Sequence, residues 1–297
     1  MRALRAAGTE ARILTRNPKG SNDFRWDPVA AASGDADALQ AVTRAMEGAG
    51  VVLNLAGESV ANGRLTGKHF QRVLSSRVDA TRALVQAHRA CSDAPPVFLS
   101  ASAVGYYGDR GDDDVNEDSP SDEEFPLAEV CRAWEAAAHA LNQPEPRARV
   151  VLLRLGVVFA RDAPAWTKLM KPVRMGVGGA LGSGQQWWSW IHVDDLVAAL
   201  LFLAADERAQ GPFNLTTPNP VRQGELVSEA AVLAGRPSFF PAPAFVLRLA
   251  LGKVADALLL ASCRALPARL EELGFRWRYG RIEEALVELI PGRSNSA

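Results

Sequence analysis

The sequence is poor in cysteine, has almost no excess of either charge, and contains no long hydrophobic run. Three cysteines are scattered through 297 residues without a CxxC pair, which argues against a disulfide framework and a structural zinc site. The 33 basic and 34 acidic side chains leave a formal net charge of -1. Electrostatics therefore gives no reason to expect nucleic acid or an anionic membrane as a partner.

Signals for metal binding, membrane insertion and export are equally scarce. The four histidines form no pair with metal-ligand spacing, and no apolar run reaches the roughly 20 residues of a membrane helix. Residues 1–16 carry charge but lack the apolar stretch of a signal peptide. We therefore expect a cytoplasmic globular protein with no metal, of about two domains at this length.

Predicted strands and helices alternate along the first half of the chain. Apolar runs at 51–57, 96–105 and 148–160 are typical of strands buried on both faces of a parallel sheet. Helical patterns lie between and before them, at 35–47, 67–90 and 125–141, and a short β run covers 11–16. Strands separated by helices predict an α/β fold with a doubly wound parallel sheet.

The character of the chain changes after about residue 165. A glycine-rich loop (176–184) precedes the tryptophan-rich segment 187–192, which runs into a helix with Asp194 or Asp195 as its cap. A short strand at 212–216 and a helix at 221–234 follow. We predict a domain that contains the parallel sheet over 1–164 and a smaller α/β lobe over 165–297 that closes over the carboxyl edge of the sheet.

Nine short motifs occur in an order that identifies a family. They are LTRNP (14–18), NLAGE (54–58), SSRVDATRALV (75–85), SASAVGYYGDRG (100–111), LAEVCRAWE (127–135), LRLGVVF (153–159), GSGQQWWSWIHVDDLV (182–197), GPFNLTTPNPV (211–221) and LPARLEELGF (266–275). With these motifs the chain resembles the NAD-dependent epimerase/dehydratase family, within the extended short-chain dehydrogenase/reductase superfamily. The resemblance implies a Rossmann-type fold and a nicotinamide cofactor. It makes 1–164 the NAD(P)-binding domain and 165–297 the smaller substrate-side lobe, which ends in a helical segment.

The beginning of the chain departs from the family pattern. Family members open with a strand, a GxxGxxG loop and a helix, and here residues 1–8 resemble only the end of that helix. The loop and the helix N-terminus bind the cofactor's pyrophosphate. Without the first strand, the runs at 11–16 and 51–57 would each lack a neighbour on one side or pair with each other, leaving an edge prone to aggregation. Our hypothesis is a misassigned start codon or a truncated chain.

The catalytic positions also depart from the superfamily pattern. The resemblance places Leu127 and Cys131 where the usual YxxxK pair stands, and neither side chain can do that chemistry. Ser102 aligns with the catalytic serine or threonine that orients the substrate, and Tyr107 is the best remaining proton donor. The alternatives are a serine bonded to its own backbone and, for Cys131, a small buried filler.

The resemblance implies a cofactor site along the carboxyl ends of the predicted strands. Arg16 follows a strand where an acidic residue would bind the ribose of NAD, so a basic residue favours the 2′-phosphate of NADP(H) over NAD(H). The alternatives are a surface role for Arg16 and a structural ion pair for Arg154. The predicted cofactor-binding residues are Thr15, Arg16, Leu55, Ala56, Gly57, Glu58, Ser100, Arg154, Gly156 and Val157.

An aromatic and polar cluster suggests where a substrate binds. Three tryptophans within four residues, at 187, 188 and 190, suit stacking on a flat or sugar-like ligand. The alternative is a core between the two domains, with His192 bonded to backbone. The predicted substrate-binding residues are Tyr106, Gln186, Trp187, Trp190 and His192.

Three functional hypotheses remain open at this point. The first is an NADP(H)-dependent oxidoreductase or epimerase-like enzyme acting on a small molecule, and forming a homodimer. The second is a non-catalytic NADP(H)-binding regulator or scaffold, which the residues at 127 and 131 favour. The third is a chain that is inactive because its sheet is incomplete.

Overall fold

The computed structural model describes Leu4 and residues 8–290. The strands are β1 (Ile13–Thr15), β2 (Asp23–Arg25), β3 (Val51–Asn54), β4 (Val97–Ala103), β5 (Asp114–Val115), β6 (Arg149–Leu155), β7 (Val157–Phe159), β8 (Trp187–Trp188), β9 (Trp190–His192), β10 (Gly211–Leu215), β11 (Val221–Arg222) and β12 (Arg264–Ala265). The α-helices are α1 (Pro28–Ala32), α2 (Ala36–Met46), α3 (Gly67–Ala90), α4 (Pro126–His139), α5 (Pro164–Arg174), α6 (Val193–Ala205), α7 (Gln223–Leu233), α8 (Ala244–Leu251), α9 (Lys253–Ala255), α10 (Ala268–Glu272) and α11 (Ile282–Leu289).

Four parallel strands form the central sheet, in the order β10-β6-β4-β3. The pairing of β4 with β6 is the longest, running from Val97 opposite Arg149 to Ala103 opposite Leu155. Helices α3 and α4 connect consecutive strands, because a parallel neighbour requires a crossover. The predicted α/β fold with a parallel sheet is confirmed.

Alternate residues of β4 and β6 enter two different cores. Phe98 and Leu152 pack with residues of α2 and α3 on one face, whereas Leu99 and Leu153 pack with residues of α6 and β10 on the other. Successive side chains of a strand point to opposite faces, so the elements packed on both faces bury all residues of the two strands except those at strand ends. This explains why both strands read as continuous apolar runs in the sequence.

The N-terminal strands are separate from the central sheet. β1 pairs in parallel with β2, and within residues 8–290 β3 pairs with β4 alone. We expected β1 and β3 to lack a neighbour on one side or to pair with each other, and this part of the chain shows the first arrangement. Val51 and Leu53 of β3 are exposed. The expected helix end over residues 1–8 lies mostly outside the described residues.

The second half of the chain adds both a strand and a second core. β10 lies beyond residue 164 yet joins the central sheet beside β6. Helices α5, α7 and α11 enclose a separate core with β7 to β9, which includes Phe159, Trp166 and Trp190. The division at 164/165 stays a prediction, and the sheet extends across it.

Two local expectations from the sequence were wrong. The predicted strand 148–160 is two strands, β6 and β7, broken at Gly156. A Cβ on Gly156 would lie 2.7 Å from the Ser189 carbonyl oxygen, and β7 turns there to pair with β9. The cap of α6 is His192, whose ring accepts the Asp194 amide. Asp195 instead accepts the amides of Arg278 and Tyr279.

Candidate functional site

The carboxyl ends of the central strands form one edge that carries most of the predicted site residues. The chain leaves β3 at 55–58, β4 at 104–107 and β6 at Gly156. These segments are only partly covered, and Leu55 is 55% exposed. Ligands of parallel α/β sheets bind outside this edge, because the loops diverge there and leave a crevice.

Beneath the edge lies a buried ion pair between β6 and α4. The Arg154 guanidinium donates from Nε to Glu135 Oε1 at 2.9 Å and from Nη2 to Oε2 at 3.0 Å. Ser102 Oγ, on β4, donates to the same Oε1 at 2.7 Å. All three residues are less than 10% exposed. This two-point contact satisfies both charges in the geometry that arginine and carboxylate prefer.

The network continues through Tyr107 into β10. Arg154 Nη1 donates to the Tyr107 hydroxyl at 2.9 Å, and that hydroxyl donates to Asn214 Oδ1 at 2.8 Å. Burial raises the pKa of Tyr107 far above its ordinary value, although the hydrogen bond and charge of Arg154 act in the opposite direction. Tyr107 is therefore a neutral phenol at pH 7. The predicted proton donor and substrate orienter thus share one network, linked through Arg154 and Glu135.

Tyr106 lies between this network and solvent. The Arg154 Cζ is 3.6 Å from the centroid of its ring, and the ring meets Tyr107 edge-on at 5.4 Å. The residue is partly exposed. Of the two adjacent tyrosines, Tyr106 is the one that a ligand at the sheet edge can reach.

The residues at the usual Tyr and Lys positions are buried apolar neighbours of the network. Leu127 packs against Gly105, where an added Cβ would lie 3.2 Å from the leucine Cβ. The Cys131 thiol donates to the Ala103 carbonyl at 3.6 Å. Burial raises the pKa of Cys131 to about 11, so the sulfur is a neutral thiol at pH 7 and a poor nucleophile.

The predicted cofactor residues divide into open and buried groups. Arg16 is exposed and Thr15 partly exposed at the carboxyl end of β1, and Gly57 is exposed after β3. Ser100 is fully buried and accepts a hydrogen bond from Asn54 Nδ2. Open positions at strand ends suit the adenosine half of a dinucleotide, and within the described residues the Arg16 side chain has no hydrogen-bond partner.

Other predicted cofactor residues have structural contacts of their own. Glu58 Oε1 lies 3.4 Å from Arg72 Nε, and the Ala56 amide donates to Asn54 Oδ1. The Val157 amide donates to the Ser189 carbonyl. These contacts fix the loops after β3 and β6. They do not cover the outer surface at the carboxyl edge of the sheet.

Three of the predicted substrate residues are buried in the second lobe. Gln186 donates to the carbonyls of Leu181 and Leu259, and Trp190 Nε1 donates to Asn219. His192 caps α6, and its Nε2 lies 3.1 Å from Glu288 Oε2. The polar groups named here on these three side chains already have protein partners. Their surroundings are therefore those of a packed core, which was the alternative to a substrate site. Their role in substrate binding stays a prediction.

Trp187 is the partly exposed member of that cluster. The Arg222 and Arg264 guanidinium carbons lie 4.1 Å and 4.8 Å from the centroid of its ring. Its Nε1 donates to Asp112 Oδ1 at 3.0 Å, which ties the lobe to the acidic loop 109–124. The tryptophan is therefore held between two cations and a carboxylate.

Three residues near the site were not predicted from the sequence: Glu135, Asn214 and Arg77. Glu135 had a usable signal, because its spacing of four from Cys131 puts a carboxylate on the apolar face of α4. Asn214 stood inside a short apolar strand. Arg77 lies in the motif 75–85, where nothing set it apart from the other arginines of α3.

Comparison with known proteins agrees with the fold. The model of the NAD-dependent epimerase/dehydratase family matches residues 1–216. The chain belongs to this family. A domain of unknown function matches residues 242–289, which include α8 to α11. Within the described residues, no helix is both long and apolar enough to cross a membrane.

Relatives align with nearly the whole chain. An epimerase family protein of Mycobacterium bovis is 38% identical over 96% of this chain and 90% of its own length. A chloroplastic SDR39U1 homolog of Arabidopsis thaliana is 36% identical over 95% of this chain and 80% of its own. The crystal structure of the human epimerase family protein SDR39U1 with NADPH has a TM-score of 0.86 at 28% identity, covering 97% of this chain and 93% of that one.

These comparisons, together with the fold, establish a coarse function. The chain is an NAD(P)-binding protein of the epimerase family. No group of three or more histidine, cysteine or acidic side chains in the described residues could hold a metal ion.

Proposed function

We propose that this chain binds NADP(H) and uses it in an oxidoreductase or epimerase-like reaction on a small molecule. The observation that favours NADP(H) over NAD(H) is the exposed Arg16 at the carboxyl end of β1, whose side chain has no hydrogen-bond partner within residues 8–290. A guanidinium there suits a 2′-phosphate, because its planar donors match phosphate oxygens. The similar human protein was crystallised with NADPH, which supports the same choice.

A titration of the chain with NADPH and with NADH tests this proposal. We expect Arg16→Ala to weaken NADPH binding by about tenfold, the effect of one charge-assisted hydrogen bond, and to leave NADH binding unchanged. Arg44→Ala removes an exposed arginine from α2 and serves as the control. Equal affinity of the native chain for the two dinucleotides would overturn the assignment.

We further propose roles for the buried network in catalysis. The nicotinamide of a bound cofactor would supply or accept a hydride. Ser102 would orient a substrate hydroxyl or carbonyl, and the Tyr107 hydroxyl would hold the transferable proton, with Arg154 stabilising negative charge on its oxygen at 2.9 Å. This assignment requires a movement that exposes Ser102 and Tyr107 to the substrate, because both residues are fully buried.

The second candidate is a non-catalytic NADP(H)-binding regulator. It is favoured by the burial of Ser102 and Tyr107 and by the apolar pair Leu127 and Cys131. NADPH oxidation against a panel of carbonyl substrates separates the two candidates. Turnover that Ser102→Ala and Tyr107→Phe abolish would support the enzyme, whereas tight binding without turnover would support the regulator.

We also propose that the protein forms a homodimer through an apolar surface around α8. Phe239, Phe240, Phe245 and Leu249 are 81%, 61%, 70% and 77% exposed. An aromatic side chain presents about 150–250 Å², so the four expose on the order of 500 Å² of apolar surface. That approaches the roughly 800 Å² per partner of a stable interface, and the one charge on α8, Arg248, is paired with Asp256.

Light scattering after gel filtration tests the dimer. We expect Leu249→Glu to give a monomer, because a carboxylate cannot be buried at the centre of the interface without a partner. Val29→Glu, at an exposed position of α1, should leave the mass unchanged. A monomeric native chain would contradict the proposal.

Cys131 and Cys263 are buried free thiols, which supports a reducing compartment such as the cytoplasm.

A further inference from the structure

Arg77 of α3 reaches into the crevice at the end of β3. A Cβ placed on Gly57 would lie 2.9 Å from the Arg77 Cζ, so the absence of a side chain at position 57 admits the guanidinium. On its other side the Arg77 Cζ is 5.1 Å from the centroid of the Trp134 ring on α4. The guanidinium is thus fixed between the loop that follows β3 and the helix that carries Cys131.

Among the residues that the structure describes, one nitrogen of this guanidinium has protein partners. Nη1 donates to the carbonyls of Glu58 and Val73, both at 2.9 Å. Nε and Nη2 have no hydrogen-bond partner among the described residues. Both atoms keep some solvent-exposed surface. The edge of the guanidinium that carries Nε and Nη2 is therefore positioned by the fold but open.

The Nε and Nη2 edge of Arg154 shows which kind of group this edge of an arginine can bind. Arg154 binds the two oxygens of Glu135 through its Nε and Nη2, at 2.9 Å and 3.0 Å. Two oxygens of a carboxylate or of a phosphate group match this pair of parallel donors. Arg77 presents the same pair of donors, and no carboxylate in the described part of the chain is bound to them.

The charge of Arg77 is also weakly compensated. Burial lowers the pKa of Arg77, with Cys131 and Glu58 opposing that effect, but a guanidinium stays charged at any physiological pH. The Cys131 thiol is neutral. The Glu58 carboxylate lies close to Arg72 and His69, at 3.4 Å and 3.6 Å. A half-buried cation with two spare donors attracts an anionic ligand.

We propose that Arg77 is a ligand-binding residue whose Nε and Nη2 donate to the diphosphate of the bound dinucleotide. The proposal rests on the proposed NADP(H) function. Arg77 contacts Gly57 and Glu58, two predicted cofactor residues, and faces the helix of Cys131. It would therefore supply a phosphate contact from α3, apart from any glycine-rich loop.

The experiment compares Arg77→Met, Arg77→Lys and Arg82→Met with the native chain. Arg82 is an exposed arginine on the same helix and serves as the matched control. We expect Arg77→Met to weaken NADPH binding by roughly tenfold or more. Arg77→Lys should recover part of the loss, because it keeps the charge but not the two-point geometry, and Arg82→Met should stay within about twofold.

A second measurement uses inorganic pyrophosphate as the ligand and the melting temperature as the readout. Pyrophosphate should raise the melting temperature of the native chain and of Arg82→Met, but not of Arg77→Met. The unliganded melting temperatures show whether each variant folds, and Arg77→Lys takes the place of Arg77→Met if the latter does not.

The outcomes separate this inference from the proposed function. The native chain could bind neither dinucleotide and still be stabilised by pyrophosphate only when Arg77 is present. That result would overturn both the NADP(H) proposal and the assignment of Arg77 to the dinucleotide's diphosphate, and it would show that Arg77 forms an anion site. Native-like NADPH affinity in Arg77→Met and Arg77→Lys would overturn the inference and leave NADP(H) binding intact.

Discussion

Arg154 and Arg77 show how two regions of one sheet edge differ. Arg154 lies below the ends of β4 and β6, where Glu135, Tyr107 and the Glu117 carbonyl occupy its donors. Arg77 lies beside the end of β3, where two of its nitrogens have no partner in the described chain. The first region is a closed polar network whose buried charges are paired within the fold. The second is positioned by the fold and left open for a ligand.

The largest expected effect comes from breaking the closed region. Glu135→Gln leaves the buried Arg154 guanidinium without its countercharge, and we expect it to lower the free energy of unfolding by about 3 kcal/mol or more. Urea denaturation followed by far-ultraviolet circular dichroism measures the change. The double variant Glu135→Gln with Arg154→Met should recover part of the loss, because no uncompensated charge stays buried. A loss under 1 kcal/mol in the single variant would contradict the comparison.

An intermediate effect on the free energy of unfolding is expected from the Cys131 thiol, which lies next to the Arg154–Glu135 network. Burial raises the pKa of Cys131 from the ordinary thiol value of 9.0 to about 11 in the folded chain. An unfolded chain therefore loses this proton first, and the stability that the thiol contributes is complete below about pH 9 and lost as the pH rises toward 11. We expect about 1 kcal/mol of loss between pH 8 and pH 10 from this group.

The control for this pH dependence is Cys131→Ala. The variant is less stable at every pH because it leaves a cavity, but its stability should fall less steeply between pH 8 and pH 10. Urea midpoints at three pH values give both slopes. Identical slopes would show that Cys131 titrates alike in the folded and unfolded chains.

The smallest effect is expected in the open region. Glu58→Gln removes a half-buried carboxylate that faces the exposed Arg72 at 3.4 Å. Such a pair contributes about 0–1 kcal/mol because water screens it, so the free energy of unfolding should change by less than 1 kcal/mol. A loss as large as that of Glu135→Gln would mean that both regions are structural.

The secondary structure was largely predictable where one pattern dominated. The prediction of a helix over 67–90 is confirmed, as is that over 35–47, whose N-cap Asp35 accepts the Ala38 amide. The break at Gly156 was not predictable, because it results from close approach to Ser189, 33 residues further along the chain. β2 was missed because three residues with two charges carry no apolar pattern.

The candidate site was less predictable than the fold. The sequence and the family resemblance pointed to Ser102, Tyr107 and Arg154 one at a time, and the tertiary structure joined them through Glu135. Trp190 and Trp187 looked alike in the sequence, yet Trp190 is fully buried and Trp187 is partly exposed between two arginines. Aromatic side chains serve cores and ligand sites equally well, so composition alone does not separate these roles.

By itself, the sequence determined the alternation of strands and helices, the parallel central sheet and the family. Periodicity and motif order can be read along the chain without knowing which distant residues meet in the fold. The tertiary structure decided which polar groups are satisfied. Arg77 and Arg154 are chemically identical side chains, and only the fold places a carboxylate against one and leaves the other open. Hydrogen bonding and burial depend on residues distant in the chain, so no local pattern could have distinguished them.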